Sequence, residues 1–355
     1  MLFKKYAFLQ SIIIIITWLL GLFFLVYSGN SYSFFGENIT ENYSQNIFYF
    51  IIFCFFIFLI KKNNLKVNYF EFIFITLSVI SLFTFLITGE TEFFWPFILP
   101  LCLIGIDLSK FKLLLKKILL LTLFLHYLYI LQLYFFSIDL IDPILVNQKI
   151  IDYYFTGNEF RFSLQFFYIH SNAAGAILFA YYILIDSLYK SNNLKYKILV
   201  IPLIIISGSL SSILITIIYE ITTKISLKLN LIKLFFIMFV GIIILYNVIQ
   251  YISVINEIGI LVRLERIFSF IFHFLTNPYI LLFPNYIING SFYTESSLLD
   301  LFLNFGIFSF PLFYLIYSCR ATRYYLIILF LTSASYTPMS SLILYIIYNV
   351  SKNKT

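Results

Sequence analysis

Residues 1–27 read Met1-Leu-Phe-Lys4-Lys5-Tyr-Ala-Phe-Leu-Gln-Ser-Ile-Ile-Ile-Ile-Ile-Thr-Trp18-Leu-Leu-Gly-Leu-Phe-Phe-Leu-Val-Tyr27. Two lysines introduce a run, 7–27, that carries no charge. A helix crosses the hydrocarbon core of a bilayer with about 20 apolar residues, and this run supplies them. No small-residue cleavage site follows. The stretch is therefore expected to stay as an uncleaved first span rather than to be removed as a signal peptide.

The same pattern recurs along the chain. Apolar stretches at 46–60, 69–88, 93–107, 118–136, 173–188, 198–207, 210–222, 234–252, 298–317, 325–336 and 339–350 follow the first. Overall 62% of residues are hydrophobic and 11% charged, where ordinary soluble domains carry roughly 25% charge. A soluble fold of this length has nowhere to bury so much apolar surface. The expected fold is an all-α polytopic membrane protein of about 12 transmembrane helices, a single integral membrane domain over 1–355. The bias toward Phe, Tyr, Ile, Asn and Lys suggests an A/T-rich genome, so the aromatic count by itself indicates no binding box.

Orientation follows from where the cations fall, because cytoplasmic loops are enriched in Lys and Arg. Lys4 and Lys5 precede the first span. Lys61, Lys62 and Lys66 follow the second; Lys110, Lys112, Lys116 and Lys117 follow the fourth. Lys190, Lys195 and Lys197 follow the sixth; Lys224, Lys228 and Lys233 the eighth; Arg320 and Arg323 the tenth; Lys352 and Lys354 come last. With this parity all but four of the 23 cations lie on one side, and both ends of the chain are expected in the cytoplasm. Parity also requires that 198–222 break at Ser207-Gly208-Ser209 and that 325–350 break near Thr337-Pro338. Backbone that leaves the helix at membrane depth must be satisfied by protein or water, so both pairs of short helices are expected inside the bundle.

The net charge of +7 does not point to nucleic acid, since the cations sit in short clusters between apolar stretches. Cys54, Cys102 and Cys319 lie in or beside apolar stretches without CxxC spacing and suggest neither a metal site nor a disulfide framework. Asp107, Asp186, Glu220 and Glu71 stand near span ends beside lysines and read as interface anchors. His126 and His273 read as bundle or interfacial histidines, with no second metal ligand near either.

The side opposite the lysines holds two long loops, 137–172 and 253–297, and long ordered loops usually do something. Its four cations are Lys149, Arg161, Arg263 and Arg266, whereas every clustered cation before residue 320 is lysine. Guanidinium stays charged and grips phosphate bidentately, so arginine here points to phosphate chemistry. Glu37, Glu41, Glu90, Glu92, Asp139, Asp142, Asp152, Glu159 and Glu257 share that side.

The stretch Arg161-Phe-Ser-Leu-Gln-Phe-Phe-Tyr-Ile-His170-Ser171-Asn172-Ala-Ala-Gly175 resembles the Arg…His-Pro-Asn…Gly signature of O-antigen and capsule repeat-unit polymerases. There too the signature ends a large outer loop and enters a helix. Arg263-Leu-Glu-Arg266 resembles the arginine of the family's second long loop. Asn277-Pro278 and Glu295-Ser-Ser-Leu-Leu-Asp300-Leu-Phe-Leu-Asn304-Phe-Gly306-Ile307 resemble its closing signature, in which an acid or histidine stands eleven positions before a Gly-Ile. Ser207-Gly208-Ser209 sits where relatives often carry a Ser-Arg turn. Ser171 replaces the usual proline. Glu295 stands where related O-antigen ligases have histidine, which leans toward polymerase.

The resemblance implies a polymerase in the bacterial plasma (inner) membrane that moves a growing glycan from undecaprenyl diphosphate onto the next lipid-linked oligosaccharide. It implies a glycosyltransferase with neither nucleotide sugar nor metal cofactor, and a chain-length regulator and a flippase as partners besides membrane lipid. Displacing a diphosphate from an anomeric carbon needs cations at the leaving group and a base at the acceptor hydroxyl. Arg161, Arg263 and Arg266 are the expected diphosphate clamps, the last two on one helical face by their spacing; pairing with Glu159 or Glu265 as loop staples is the plainer reading. Glu295 is the expected base, with Asp300 and His170 as further catalytic candidates and Asn172 as a substrate contact. The plainer readings are a helix-start acid that complements the macrodipole for Glu295, an arginine partner for Asp300, and helix capping around Ser171 and Asn172. An O-antigen ligase is the nearest alternative. A flippase for the same lipid-linked unit is the alternative outside enzymes, and would be expected to carry ionisable residues at mid-membrane depth.

Overall fold

The computed structural model describes residues 2–28, 68–88, 98–131, 171–189, 193–224, 268–269, 272–278, 297–331 and 338–352, and among these residues the regular structure is helical throughout. The helices are α1 (Leu2–Ser28), α2 (Tyr69–Thr88), α3 (Ile98–Leu103), α4 (Lys112–Leu131), α5 (Ser171–Leu188), α6 (Asn193–Ile206), α7 (Leu210–Lys224), α8 (Ser297–Phe305), α9 (Ser309–Ser318), α10 (Arg320–Arg323), α11 (Tyr325–Leu331) and α12 (Pro338–Lys352). Short 3-10 turns at Leu108–Phe111 and Gly306–Phe308 lead into α4 and α9. By length and composition one described stretch, Leu108–Leu131, is a clear candidate to cross a membrane; 7–22, 71–80, 174–188, 211–223, 306–318 and 339–351 are shorter apolar helices. The expected spans at 46–60 and 234–252 and most of both long loops lie outside the described residues.

The helix ends follow from local chemistry. Asn68 and Glu71 form a reciprocal cap at α2: the Glu71 N–H donates to Asn68 Oδ1 and the Asn68 N–H to Glu71 Oε2, each at 2.9 Å. Pro338 opens α12, where its missing N–H costs nothing. The expected break at 207–209 is present and separates α6 from α7, whereas residues 332–337, where the break near Thr337-Pro338 is expected, lie outside the described residues. The expected single span 298–317 is instead divided. Gly306 takes a positive φ of 52°, and α8 gives way there to a 3-10 turn and then α9. Likewise α6 begins at Asn193, earlier than expected, so Lys195 and Lys197 are part of the helix.

At the centre stand α5 and α12. From Ala174 to Tyr189 every side chain except that of Asp186 is buried, and α12 is buried from Met339 to Ile347. A helix apolar all round needs cover on every side; α5 packs against α4, α6, α7, α10 and α12, and α12 also against α1 and α3. The flanking helices turn apolar side chains outward: Phe8, Ile15 and Leu19 on α1, Leu121, Phe124 and Leu128 on α4, Ile198 and Ile205 on α6. Hydroxyls buried in this setting return to the backbone one turn earlier, as Thr17 does to Ile13 O at 2.7 Å and Thr216 to Ser212 O at 2.6 Å. One polar knot joins three helices. The Trp18 indole N–H donates to Thr122 Oγ1 at 2.8 Å, His126 Nδ1 meets Thr122 O at 2.7 Å, and Tyr181 stacks on Trp18 and meets the His126 ring edge-on. His126 is thus the bundle histidine the sequence indicates.

Candidate functional site

Contacts between helix ends define two ends of the bundle. Ser187 near the end of α5 meets Ser351 near the end of α12, hydroxyl to hydroxyl at 3.1 Å. Lys116 near the start of α4 lies over the Tyr189 ring at 4.5 Å, and Tyr189 stacks on Tyr196 of α6 at 3.9 Å. Tyr324, next to Arg323, meets the Tyr219 ring of α7 at 5.0 Å. Glu71 at the start of α2 accepts from Tyr345 of α12 at 2.9 Å. Gly21, in the second half of α1, lies against Met339 and Leu342 at the start of α12, so α1 runs opposite to α12 and directs Lys4 and Lys5 toward this same end. The described cation clusters therefore gather at one end of the bundle.

α5 begins at the other end. Gly175, in the second turn of α5, lies against the Ser207-Gly208-Ser209 turn and Ser212: a Cβ on Gly175 would meet Ser209 Cβ and Ser212 Oγ, each at 2.5 Å. Gly208 supplies the positive φ of 68° that this turn requires. Thus two separate parts of the sequence pattern, Gly175 and the 207–209 turn, touch. Ser209 Oγ also shares hydrogen bonds with Ser211 Oγ at 3.1 Å and Ser212 Oγ at 2.9 Å. α11 packs against both α8 and α9. Asn172 lies in the first turn of α5 and Asp300 in the first turn of α8. Arg161, His170, Arg263, Arg266 and Glu295 lie outside the described residues, His170 directly before α5 and Glu295 two positions before α8.

Three of the acids read as interface anchors, Asp186, Glu220 and Glu71, hold helices together through specific contacts. Lys197 is buried, its side chain 6% exposed, and its ammonium binds Asp186 Oδ2 at 2.8 Å and Glu220 Oε1. Tyr219 OH donates to Asp186 Oδ2 at 2.7 Å, Asn193 Nδ2 to Asp186 Oδ1 at 2.6 Å, and Tyr182 OH to Glu220 Oε1 at 2.8 Å. The ammonium also sits over the Tyr182 ring at 4.7 Å. A buried ion is tolerable when paired and hydrogen-bonded, and this cluster meets that condition by pinning α5, α6 and α7 together. Glu71 likewise is a buried structural carboxylate: it takes the Asn68 N–H, the Gly105 N–H at 3.1 Å and the Tyr345 hydroxyl. Lys197 among apolar neighbours was the available sequence signal for the first cluster; one helical turn, Asn193 to Lys197, separates two of its members.

Comparison with protein-family models, curated proteins and solved structures finds no match.

Proposed function

We propose that this chain is an integral membrane glycosyltransferase that joins lipid-diphosphate-linked oligosaccharide units into a longer glycan. It spans the bilayer about twelve times with its cationic end in the cytoplasm. The observation that carries this reading is the separation of the two ends: α5, the helix that the first signature stretch enters, begins at the end away from the described cation clusters. The outward apolar side chains of α1, α4 and α6 support lipid as their solvent. The Lys197 cluster lies at the cationic end rather than midway along α5, which lends no support to a transporter.

In this reading Arg161, Arg263 and Arg266 hold the donor diphosphate. Glu295 takes the acceptor hydroxyl proton, with Asp300 and His170 as the other candidates, and Asn172 contacts substrate. The acceptor oxygen forms its bond to the anomeric carbon as the bond from that carbon to the diphosphate oxygen breaks, and the diphosphate leaves with the electron pair. Stabilising the charge that grows on the leaving group is the main electrostatic task, and holding two lipid-tethered substrates side by side supplies much of the rest. First turns of helices carry N–H groups without intrahelical partners and favour anions, which suits the starts of α5 and α8. Deletion of the gene followed by analysis of surface glycan tests the proposal. Single repeat units without long chains are the expected product; unchanged chain length would overturn it, and loss of even single units would point to the flippase.

A further inference from the structure

The loop 253–297 contains an apolar run, Ile267-Phe-Ser-Phe-Ile-Phe-His-Phe-Leu275, set between Arg266 and Thr276-Asn277-Pro278. Its nine residues would make about 14 Å of helix, less than half of a hydrocarbon core of about 30 Å, so the run is too short to cross a bilayer. Its described parts, 268–269 and 272–276, are helical. Phe268, Phe272 and Leu275 are 67%, 70% and 71% exposed, more than Leu121 and Phe124 of α4 at 55% and 56%. A loop segment therefore turns more of its large apolar side chains outward than the clearest membrane-span candidate does. Helical spacing of about 100° per residue sorts the segment into three sides. Phe268, Phe272 and Leu275 share one, Ser269 and His273 fall on the next, and Phe274 takes the third. Phe274 meets Phe302 of α8 with ring centroids 6.0 Å apart, and Phe302 meets Phe310 of α9 at 5.5 Å. Phe310 and, one turn on, Tyr314 are themselves exposed. The polar side chains at the end of the segment turn onto the segment itself. Thr276 Oγ1 donates to Phe272 O and His273 O, each at 3.0 Å, and Asn277 Nδ2 meets His273 Nδ1 at 3.3 Å.

We propose that the helical residues 268–269 and 272–276 lie along the bilayer surface, with Phe268, Phe272 and Leu275 among the upper acyl chains and Ser269 and His273 toward water. Two observations select lipid as what covers the apolar side. The contacts from Phe274 through Phe302 to Phe310 make that side continuous with the outward face of α9, so both meet the same surroundings. Arg263 and Arg266 stand five and two positions before Phe268, and cations beside an apolar helix face match phosphates above hydrocarbon. The inference rests on the membrane reading above but not on the polymerase reading. Where both hold, it keeps the arginine pair at the height of a lipid-borne diphosphate.

The test places tryptophan at single positions of the full chain in phosphatidylcholine nanodiscs and reads the emission added to that of the native Trp18 and Trp95. The variants are Phe272→Trp and Leu275→Trp on the apolar side, Ser269→Trp on the polar side and Phe124→Trp on α4. Bromine on the acyl chains close to the headgroup should quench Phe272→Trp and Leu275→Trp more than bromine near the chain ends, with emission shifted to the blue. Aqueous iodide should quench Ser269→Trp several-fold more than either. Quenching of Phe272→Trp and Leu275→Trp by iodide as strong as that of Ser269→Trp would overturn the inference. So would stronger quenching by the deep bromine, which means insertion toward the middle of the bilayer, or protection from both iodide and bromine, which means that protein covers the face. Phe124→Trp separates the two levels. Bromine that quenches it but neither loop variant sinks this inference alone, while bromine that quenches none of the three sinks the membrane reading with it.

Discussion

Replacing Gly175 by alanine sets two effects against each other. In a helix interior, alanine is favoured over glycine by about 1 kcal/mol, and residue 175 lies well inside α5. The new methyl group, however, would stand 2.5 Å from Ser209 Cβ, 2.5 Å from Ser212 Oγ and 2.9 Å from Ser209 Oγ. The hydroxyls can rotate away, but Ser209 Cβ is fixed to its backbone. Ordinary carbon–carbon contacts begin near 3.5 Å, so α5 and the 207–209 turn must part by about 1 Å. Overpacking of this kind costs about 1–3 kcal/mol, sometimes more, and contact with a backbone-anchored atom on both sides puts this case at the upper end. The expected net loss is about 2 kcal/mol. Reversible unfolding in detergent micelles, followed by circular dichroism, measures it. Ser209→Gly with Ser212→Ala removes both obstructing atoms, and in that background Gly175→Ala should be neutral or stabilising. If Gly175→Ala stabilises the otherwise unaltered chain by about 1 kcal/mol, intrinsic propensity has prevailed and the close approach of α5 to the turn is wrong.

Lys197→Met should destabilise by about 3 kcal/mol, because it leaves Asp186 and Glu220 without their shared cation; Asp186→Asn in the same chain should restore part of the loss, and the pair can be compared by thermal unfolding. Arg161→Lys keeps charge but loses the planar fork, so glycan chain extension should fall by about 100–1000-fold, the usual cost of one charge-stabilising donor, while membrane insertion stays normal; full activity of Arg161→Ala would remove the residue from the mechanism. Glu295→Gln should abolish extension if the carboxylate takes the acceptor proton, with partial recovery in Glu295→His; a residue that only complements a helix start would cost about 1 kcal/mol of stability or less and leave chain length intact. Reporter fusions after Lys62, Lys117 and Lys354 should report the cytoplasm and one within 137–172 the outer face; an external signal at Lys354 would break the paired-short-helix arrangement.

Helices and their segregation were the legible part of this sequence. The break at 207–209 could be found because charge parity and a Ser-Gly-Ser turn demanded the same thing, and Gly208 does take the left-handed conformation. The break at Gly306 escaped because nothing in parity required it: a 3-10 turn redirects the chain without changing which side the next cations reach. Asp186, Glu220 and Lys197 were visible singly, yet their meeting depends on α5, α6 and α7 packing together, and spacing along one helix says nothing of that. Glu71 misled for a related reason. Its partners Gly105 and Tyr345 come from two other elements. Of the pattern that resembles the polymerase signature, the part that structure now joins, Gly175 with the 207–209 turn, is the part built of small residues, whose role is close approach.

The central position of α12 bears on how the molecule assembles during synthesis. Its seat against α5 is prepared early, but about 150 residues separate the two helices, and at about 5–20 residues per second they emerge roughly 8 to 30 seconds apart. Throughout that interval the side of α5 that α12 will cover, including the Ser187 hydroxyl that later meets Ser351, has to be held by something else. On the proposed membrane reading, lipid chains would occupy it and be expelled when α12 arrives, a step driven by packing rather than by escape from water, since lipid tails are as apolar as the side chains they leave. Closure of the bundle is therefore a late event in translation, with α5 as the surface that waits.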